Sequence, residues 1–312
     1  MHNRPTPDNE RYRAYFKHLA RTLELEHISD LFEGDYILSD DLYLHLDILT
    51  YNANAPTVIL VPGTGLYALC YANLMHLIYE QGFNVVGLDP RGHGRSEGRR
   101  GDYTIDELVR DVQAAVTYAI KRFNPEVSVL GSSQGGIVTF YTAAADSRPR
   151  SIICQNLTDL SHLDNLNITR TPWLMRLCKP AFVQLADYLP NINIPINLYI
   201  DIKAMEIEHF GNVYNFLSQD PLALTTISIR AMKSLAIAAL AKPVEEITTP
   251  TLILQAEKDT IFSPAFTRRF YQRLQCKKQM TIFPSFTHTM LSTHPKEIVP
   301  TIVTWLRQIH KV

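Results

Sequence analysis

No stretch of this 312-residue sequence is apolar for long enough to cross a bilayer. The most apolar runs, 235–241 and 251–254, fall far short of the roughly 20 residues a spanning helix needs. The opening residues, Met1 to Glu10, are polar and contain no apolar core of a secretory signal, so a soluble cytoplasmic protein is expected. Charge of neither sign dominates: 30 Lys and Arg stand against 31 Asp and Glu, which leaves no field favouring nucleic acid or anionic membranes. Cysteine is scarce and scattered, at Cys70, Cys154, Cys178 and Cys276. With no C-x-x-C pair and no His/Cys ligand spacing, neither a disulfide framework nor a zinc site is expected. Cys70 and Cys154 sit in apolar surroundings and read as small buried residues. There are no internal repeats and no low-complexity tracts.

What is present is a rhythm of short β-branched runs and helical segments. The spacing predicts strands at 57–61, 83–88, 126–131 and 151–155, and again at 251–256 and 278–283. The alternation after Ser39-Asp40-Asp41 predicts an antiparallel hairpin over 36–49. Helices are expected at 9–25 (Tyr12, Tyr15, Phe16 and Leu19 on one face), 71–80, from the capping box Thr104-Ile-Asp-Glu107 onward, 264–274 and 295–310. Such alternation implies an α/β fold, a doubly wound and mostly parallel sheet flanked by helices. The rhythm fails from Asp159 to Pro243, where helical pieces interrupted by Pro180 precede an irregular, proline-broken run at 189–197. We therefore expect a core of 1–158 and 244–312, with 1–35 an N-terminal helical extension, and an inserted cap at 159–243.

The stretch 126–145 joins a β-branched strand to an apolar helix through Gly131-Ser132-Ser133-Gln134-Gly135, a G-x-S-x-G corner. A strand that turns straight into a helix strains the central residue, and small neighbours relieve the crowding. The corner lifts a serine hydroxyl above the sheet and frees the next backbone N–H, that of Gln134, at a helix start. A second match, Gly94-Arg95-Ser96-Glu97-Gly98, lies in a breaker-rich loop with no helix behind it, so Ser96 reads as a loop serine. Ser133 is the nucleophile candidate.

A serine needs a base, and the base needs a carboxylate to orient it. In open α/β sheets chemistry gathers beyond the carboxyl ends of strands. Asp259 follows the 251–256 strand and His288 follows the 278–283 strand, giving the order Ser, Asp, His. Glu257 is the rival carboxylate, nearer to its strand but within the turn. His294 and His310 are the other histidines beyond Asp259, and they read as surface residues at the two ends of the last helix. His93 reads as a loop residue packing behind the site. The second oxyanion donor is expected from the Pro62-Gly63-Thr64-Gly65 loop, at the N–H of Thr64. Apolar residues of 173–202, Trp173, Met175 and Phe182 among them, are expected to line an acyl pocket together with Leu66.

With these elements in register, and with Asp89-Pro-Arg-Gly-His-Gly-Arg-Ser-Glu-Gly98, the chain resembles the α/β-hydrolase superfamily. It looks closest to the branch of monoacylglycerol lipases, lysophospholipases and serine aminopeptidase-like hydrolases. The resemblance covers about 36–158 and 245–312. It implies a triad of Ser133, Asp259 and His288, a helical cap bearing the acyl pocket, and ester hydrolysis without metal or organic cofactor. Two departures stand out. Pro62-Gly63 replaces the family's His-Gly, and Leu66-Tyr-Ala-Leu-Cys-Tyr71 replaces its Glu-His-Ser-x-Arg-Tyr continuation, so head-group contacts from that loop do not carry over. The expected substrate is a small-molecule acyl ester such as a monoacylglycerol or lysophospholipid, with peripheral membrane contact through the cap possible. A peptidase or amidase on the same triad, and a non-catalytic receptor on this scaffold, are the competing readings.

Overall fold

The computed structural model describes residues 5, 9–162, 169, 172–207 and 210–312; the side chains of Tyr12, Tyr15 and Met175 lie outside that description. After helix α1 (Asn9–Thr22), strands β1 (Glu33–Ser39) and β2 (Leu42–Leu49) form the expected antiparallel hairpin. Strands β3 (Thr57–Val61), β4 (Asn84–Leu88), β5 (Val127–Ser132), β6 (Ser151–Gln155), β9 (Thr251–Ala256) and β10 (Lys278–Phe283) follow, with β7 (Asn193–Pro195) and β8 (Thr226–Ser228) lying elsewhere. The eight strands run in the order β1-β2-β4-β3-β5-β6-β9-β10. From β4 to β10 every pairing is parallel. Central strands β3, β4, β5, β6 and β9 are buried along their whole length, which explains their continuous apolar runs.

Helices cover both faces: α2 (Ala72–Tyr79), α3 (Ile105–Arg122), α4 (Gln134–Ala145), α8 (Pro264–Arg273), α9 (Met290–Thr293) and α10 (Pro295–His310). Thr104 caps α3 in the capping box read from sequence, its hydroxyl accepting from the Glu107 N–H while the Glu107 carboxylate accepts from the Thr104 N–H. Leu108, Val112, Ala115 and Val116 are buried along its inner face. His310 departs from its expected surface role. The packing of α10 against the core brings its imidazole, fully buried, between Ser128 Oγ and Glu126 Oε2, each 2.9 Å away.

Between β6 and β9 the chain forms α5 (Pro172–Leu185), β7 (Asn193–Pro195), α6 (Val213–Gln219), β8 (Thr226–Ser228) and α7 (Ile229–Ile237). Two expectations change here. Helix α5 runs through Pro180 instead of stopping, because the proline sits on an exposed turn and forgoes only its own N–H bond. The run 189–197 is not wholly irregular: β7 pairs antiparallel with β8 over Ile194–Ile227, a partner over thirty residues distant that local periodicity could not reveal. This segment is fastened to core loops by Tyr67 on Asp220 (2.6 Å), Arg230 on Asp102 and Glu107 (3.1 and 2.9 Å), and the Leu224 N–H on Gly65 O (2.8 Å).

Candidate active site

Strand β5 sits in the middle of the sheet and delivers Ser133 at its carboxyl end. Ser133 has φ +52° and ψ −117°, a strained corner for a non-glycine residue. Its surroundings explain the flanking glycines. A Cβ on Gly131 would fall 2.1 Å from Gly135 O, and one on Gly135 would fall 2.2 Å from Val61 O and 2.5 Å from Pro62 O. Only a side-chain-free backbone lets β3, β5 and α4 approach so closely.

The three expected side chains converge. His288 Nε2 lies 2.8 Å from Ser133 Oγ, and His288 Nδ1 lies 2.8 Å from Asp259 Oδ2. With Nδ1–H donating to the carboxylate, Nε2 is left to accept the Ser133 hydroxyl as a hydrogen bond. Asp259 Oδ1 takes the N–H groups of Ile261 (2.9 Å) and Phe262 (2.8 Å). Burial pushes the Asp259 carboxyl up, but the adjacent His288 and these backbone donors outweigh it and hold the group below the usual carboxylate range. The loops carrying Asp259 and His288 are tied to each other, Glu257 N–H to Phe283 O (3.0 Å) and Lys258 N–H to Phe286 O (2.9 Å). Phe262 stacks on the His288 ring at 5.9 Å. Glu257, the rival carboxylate, is exposed and points to the Ser285 N–H.

Gln134 follows Ser133 as the first residue of α4, and Thr64 lines the space above Ser133. Neither backbone N–H has a hydrogen-bond acceptor among the described residues. Ser96, by contrast, is buried in its loop, bonded to Asp89 O and accepting from the His45 N–H. His93 is buried against Tyr103, its Nδ1 2.9 Å from Arg91 O.

Two residues that sequence reasoning missed complete the arrangement. Gln155 takes the Ser132 hydroxyl on Oε1 (2.7 Å) and the Ser133 N–H on its carbonyl (3.1 Å), and its Nε2 donates to His288 O. Asn156, at φ +69°, donates to Asp259 Oδ2 at 3.2 Å. The signal was a Gln-Asn pair ending an apolar strand at the sheet's carboxyl edge.

Two cavities open at Ser133. The first, about 720 Å³ including its mouth, is lined by Ile137, Leu160, Phe182, Met232, Leu235 and Phe262 among others. The second, about 570 Å³ on the same measure, holds the edge of His288 and is walled by Leu66, Ile202, Met205, Ile207 and Val213. Of the expected substrate-binding residues, Phe182 and Leu66 therefore line cavities, whereas Trp173 is 70% exposed and lines neither. At about 100° per residue, Trp173 and Phe182 lie half a turn apart on α5, so they cannot face one cavity. Met175 lies outside the described side chains. Among the described residues no helix is long and apolar enough to cross a membrane.

Residues 52–294 match the family model for serine aminopeptidases of the S33 type. An uncharacterised abhydrolase domain-containing protein of Dictyostelium discoideum is 24% identical over 81% of this chain, which spans only 26% of that relative's length. A bifunctional esterase/perhydrolase of Acinetobacter calcoaceticus is 23% identical over 81% of this chain and 92% of its own. The crystal structure of the Paleococcus ferrophilus monoacylglycerol lipase superposes with a TM-score of 0.70 at 22% identity, covering 85% of this chain and 99% of that one, a likeness of fold. With the family model matching well over half its length, the chain belongs to the S33 serine aminopeptidase family of α/β-hydrolases.

Proposed function

We propose that this protein is a serine hydrolase that cleaves a medium- or long-chain carboxylic ester through an acyl-enzyme. The observation that carries this reading is the Ser133–His288–Asp259 relay opening onto an apolar cavity. Ser133 Oγ attacks the ester carbonyl as His288 Nε2 takes its proton, while Asp259 holds the imidazole and offsets its charge. The N–H groups of Thr64 and Gln134 receive the developing oxyanion, a contribution of about 3–4 kcal/mol for each such donor. Collapse breaks the C–O bond, His288 returns the proton to the leaving alcohol, and water activated by the same imidazole releases the acid. This scheme needs no metal or organic cofactor.

The segment 159–243 acts in this reading as a cap whose Phe182, Met232 and Leu235 surround an acyl chain. Each buried CH₂ adds about 0.8 kcal/mol, so an eight-carbon chain supplies roughly 6 kcal/mol before the costs of binding. The likeness to an esterase/perhydrolase and to a monoacylglycerol lipase supports the ester class. The family's description favours peptide cleavage instead, but no carboxylate among the described residues lines either cavity to pair with a peptide ammonium. The reading concerns the acyl half of the ester; monoacylglycerols and lysophospholipids, the classes expected from sequence, share that half and differ in the alcohol.

Initial rates on p-nitrophenyl esters of rising chain length test it. Wild type should turn over fastest on medium or long chains, and Ser133→Ala should lose on the order of 10⁶ in kcat. A silent wild type, or an active Ser133→Ala, would sink the reading.

A further inference from the structure

The second cavity differs from the first in holding the edge of His288. In the ester hydrolysis proposed above, on which this inference rests, the leaving oxygen must take its proton from His288 Nε2. The alcohol half therefore lies on the His288 side, in the second cavity, and the acyl half in the first.

We propose that this second cavity is a leaving-group site for an uncharged apolar alcohol, branched or cyclic, rather than a polyol or a phosphodiester head group. Apart from the His288 imidazole, no described side chain lining it carries charge, so nothing there matches a phosphate. Apolar side chains form its walls: Leu66, Ile202, Met205, Ile207 and Val213, with Ile200 and Ile261 shared with the first cavity. Its hydroxyls are already engaged within the protein. Ser132 donates to Gln155 Oε1 (2.7 Å), Ser292 to Thr289 O (2.8 Å), Thr289 to Glu206 O (2.9 Å) and Thr64 to Gln134 Oε1 (2.8 Å). The Tyr71 hydroxyl accepts the Gly63 N–H at 3.3 Å. A glycerol hydroxyl buried here finds lone pairs but few donors, and desolvating it without full replacement is unfavourable. An alkyl or aryl alcohol leaves nothing unpaired and buries its carbon against the walls.

The reaction balances without a further reagent. Ser133 Oγ–C forms, the ester C–O bond to the alcohol breaks, and the proton taken from Ser133 leaves on the alcohol.

The test compares octanoate esters of one acyl chain below their micelle concentrations: cyclohexylmethyl octanoate, 1-octanoylglycerol and 1-octanoyl-glycerophosphocholine, with p-nitrophenyl octanoate as the activity reference. The expected result is a kcat/KM at least tenfold higher for the cyclohexylmethyl ester than for the glycerol ester, with the phosphocholine ester lowest. Met205→Ser should cut that preference at least threefold, and Leu66→Ser, in the same lining, gives the same reading if Met205→Ser fails to fold. A glycerol or phosphocholine ester cleaved as well as the cyclohexylmethyl ester overturns the proposal while the esterase reading stands. A preference that survives both wall variants overturns it too. A wild type inactive on p-nitrophenyl octanoate removes the esterase reading and the proposal together.

Discussion

The Thr64 hydroxyl donates to Gln134 Oε1 at 2.8 Å, tying together the two residues whose backbone N–H groups are the proposed oxyanion donors. Tyr103 donates to the same oxygen at 3.1 Å, so the clamp has two arms. We predict that Thr64→Val loosens the oxyanion donors without removing either. One neutral hydrogen bond contributes about 0.5–1.5 kcal/mol, so kcat should fall roughly 3- to 10-fold with KM little changed. A rise in KM at constant kcat would place Thr64 in substrate binding instead.

Asp259→Asn should leave the fold intact and cut kcat by about 10⁴, because the amide presents a donor to Nδ1 and favours the wrong imidazole tautomer. Steady-state rates with a melting curve check this. Activity within tenfold of wild type would return the role to Glu257.

Phe182→Ala enlarges the first cavity and should shift the chain-length optimum toward longer acyl groups. Trp173→Ala should leave the profile on soluble esters within twofold, since its ring faces solvent. The same p-nitrophenyl series decides both, and identical profiles for the two variants would contradict the assignment of α5's faces.

His93 gives a pH signature. Burial, with Arg100 adding to it against the Arg91 carbonyl and Asp89, pushes its imidazole down to about 4 from 6.5. Between those values the unfolded chain binds a proton that the folded protein refuses, so stability falls as pH drops from about 6.5 to about 4. The full window amounts to about 3 kcal/mol for this one group. His93→Asn should flatten that part of the slope in urea melts at pH 4.5, 5.5 and 7. His310, also lowered by burial, sustains the slope that remains. An unchanged slope would mean that His93 takes up its proton in the folded state.

The core was legible because its central strands are buried on both faces and its turns are marked by breakers. The runs at 57–61, 151–155, 251–256 and 278–283 read as strands at their observed bounds. Ser133, Asp259 and His288 were legible for a related reason: each follows a strand end, and the fold brings strand ends together. The segment between β6 and β9 was not. The strand pair β7–β8 depends on residues far apart in sequence, and the face of α5 that turns inward depends on what it packs against. Composition along 173–202 shows apolar residues but not their direction, which is why Trp173 and Phe182 looked alike. The burial of His310 depends equally on how α10 packs.

In the sheet, β6 and β9 are immediate neighbours, paired from Ile152–Thr251 to Gln155–Leu254, although almost a hundred residues separate them in the chain. The cost of closing such a detour grows only with the logarithm of its length. Hydrogen bonds between adjacent strands, not the excursion, set the alignment of Ser133, Asp259 and His288. Much of the lining of the two cavities, Phe182, Ile202, Met205, Val213, Met232 and Leu235 among it, lies in that excursion, and it can be rewritten while the strands beside Ser133, Asp259 and His288 stay in register.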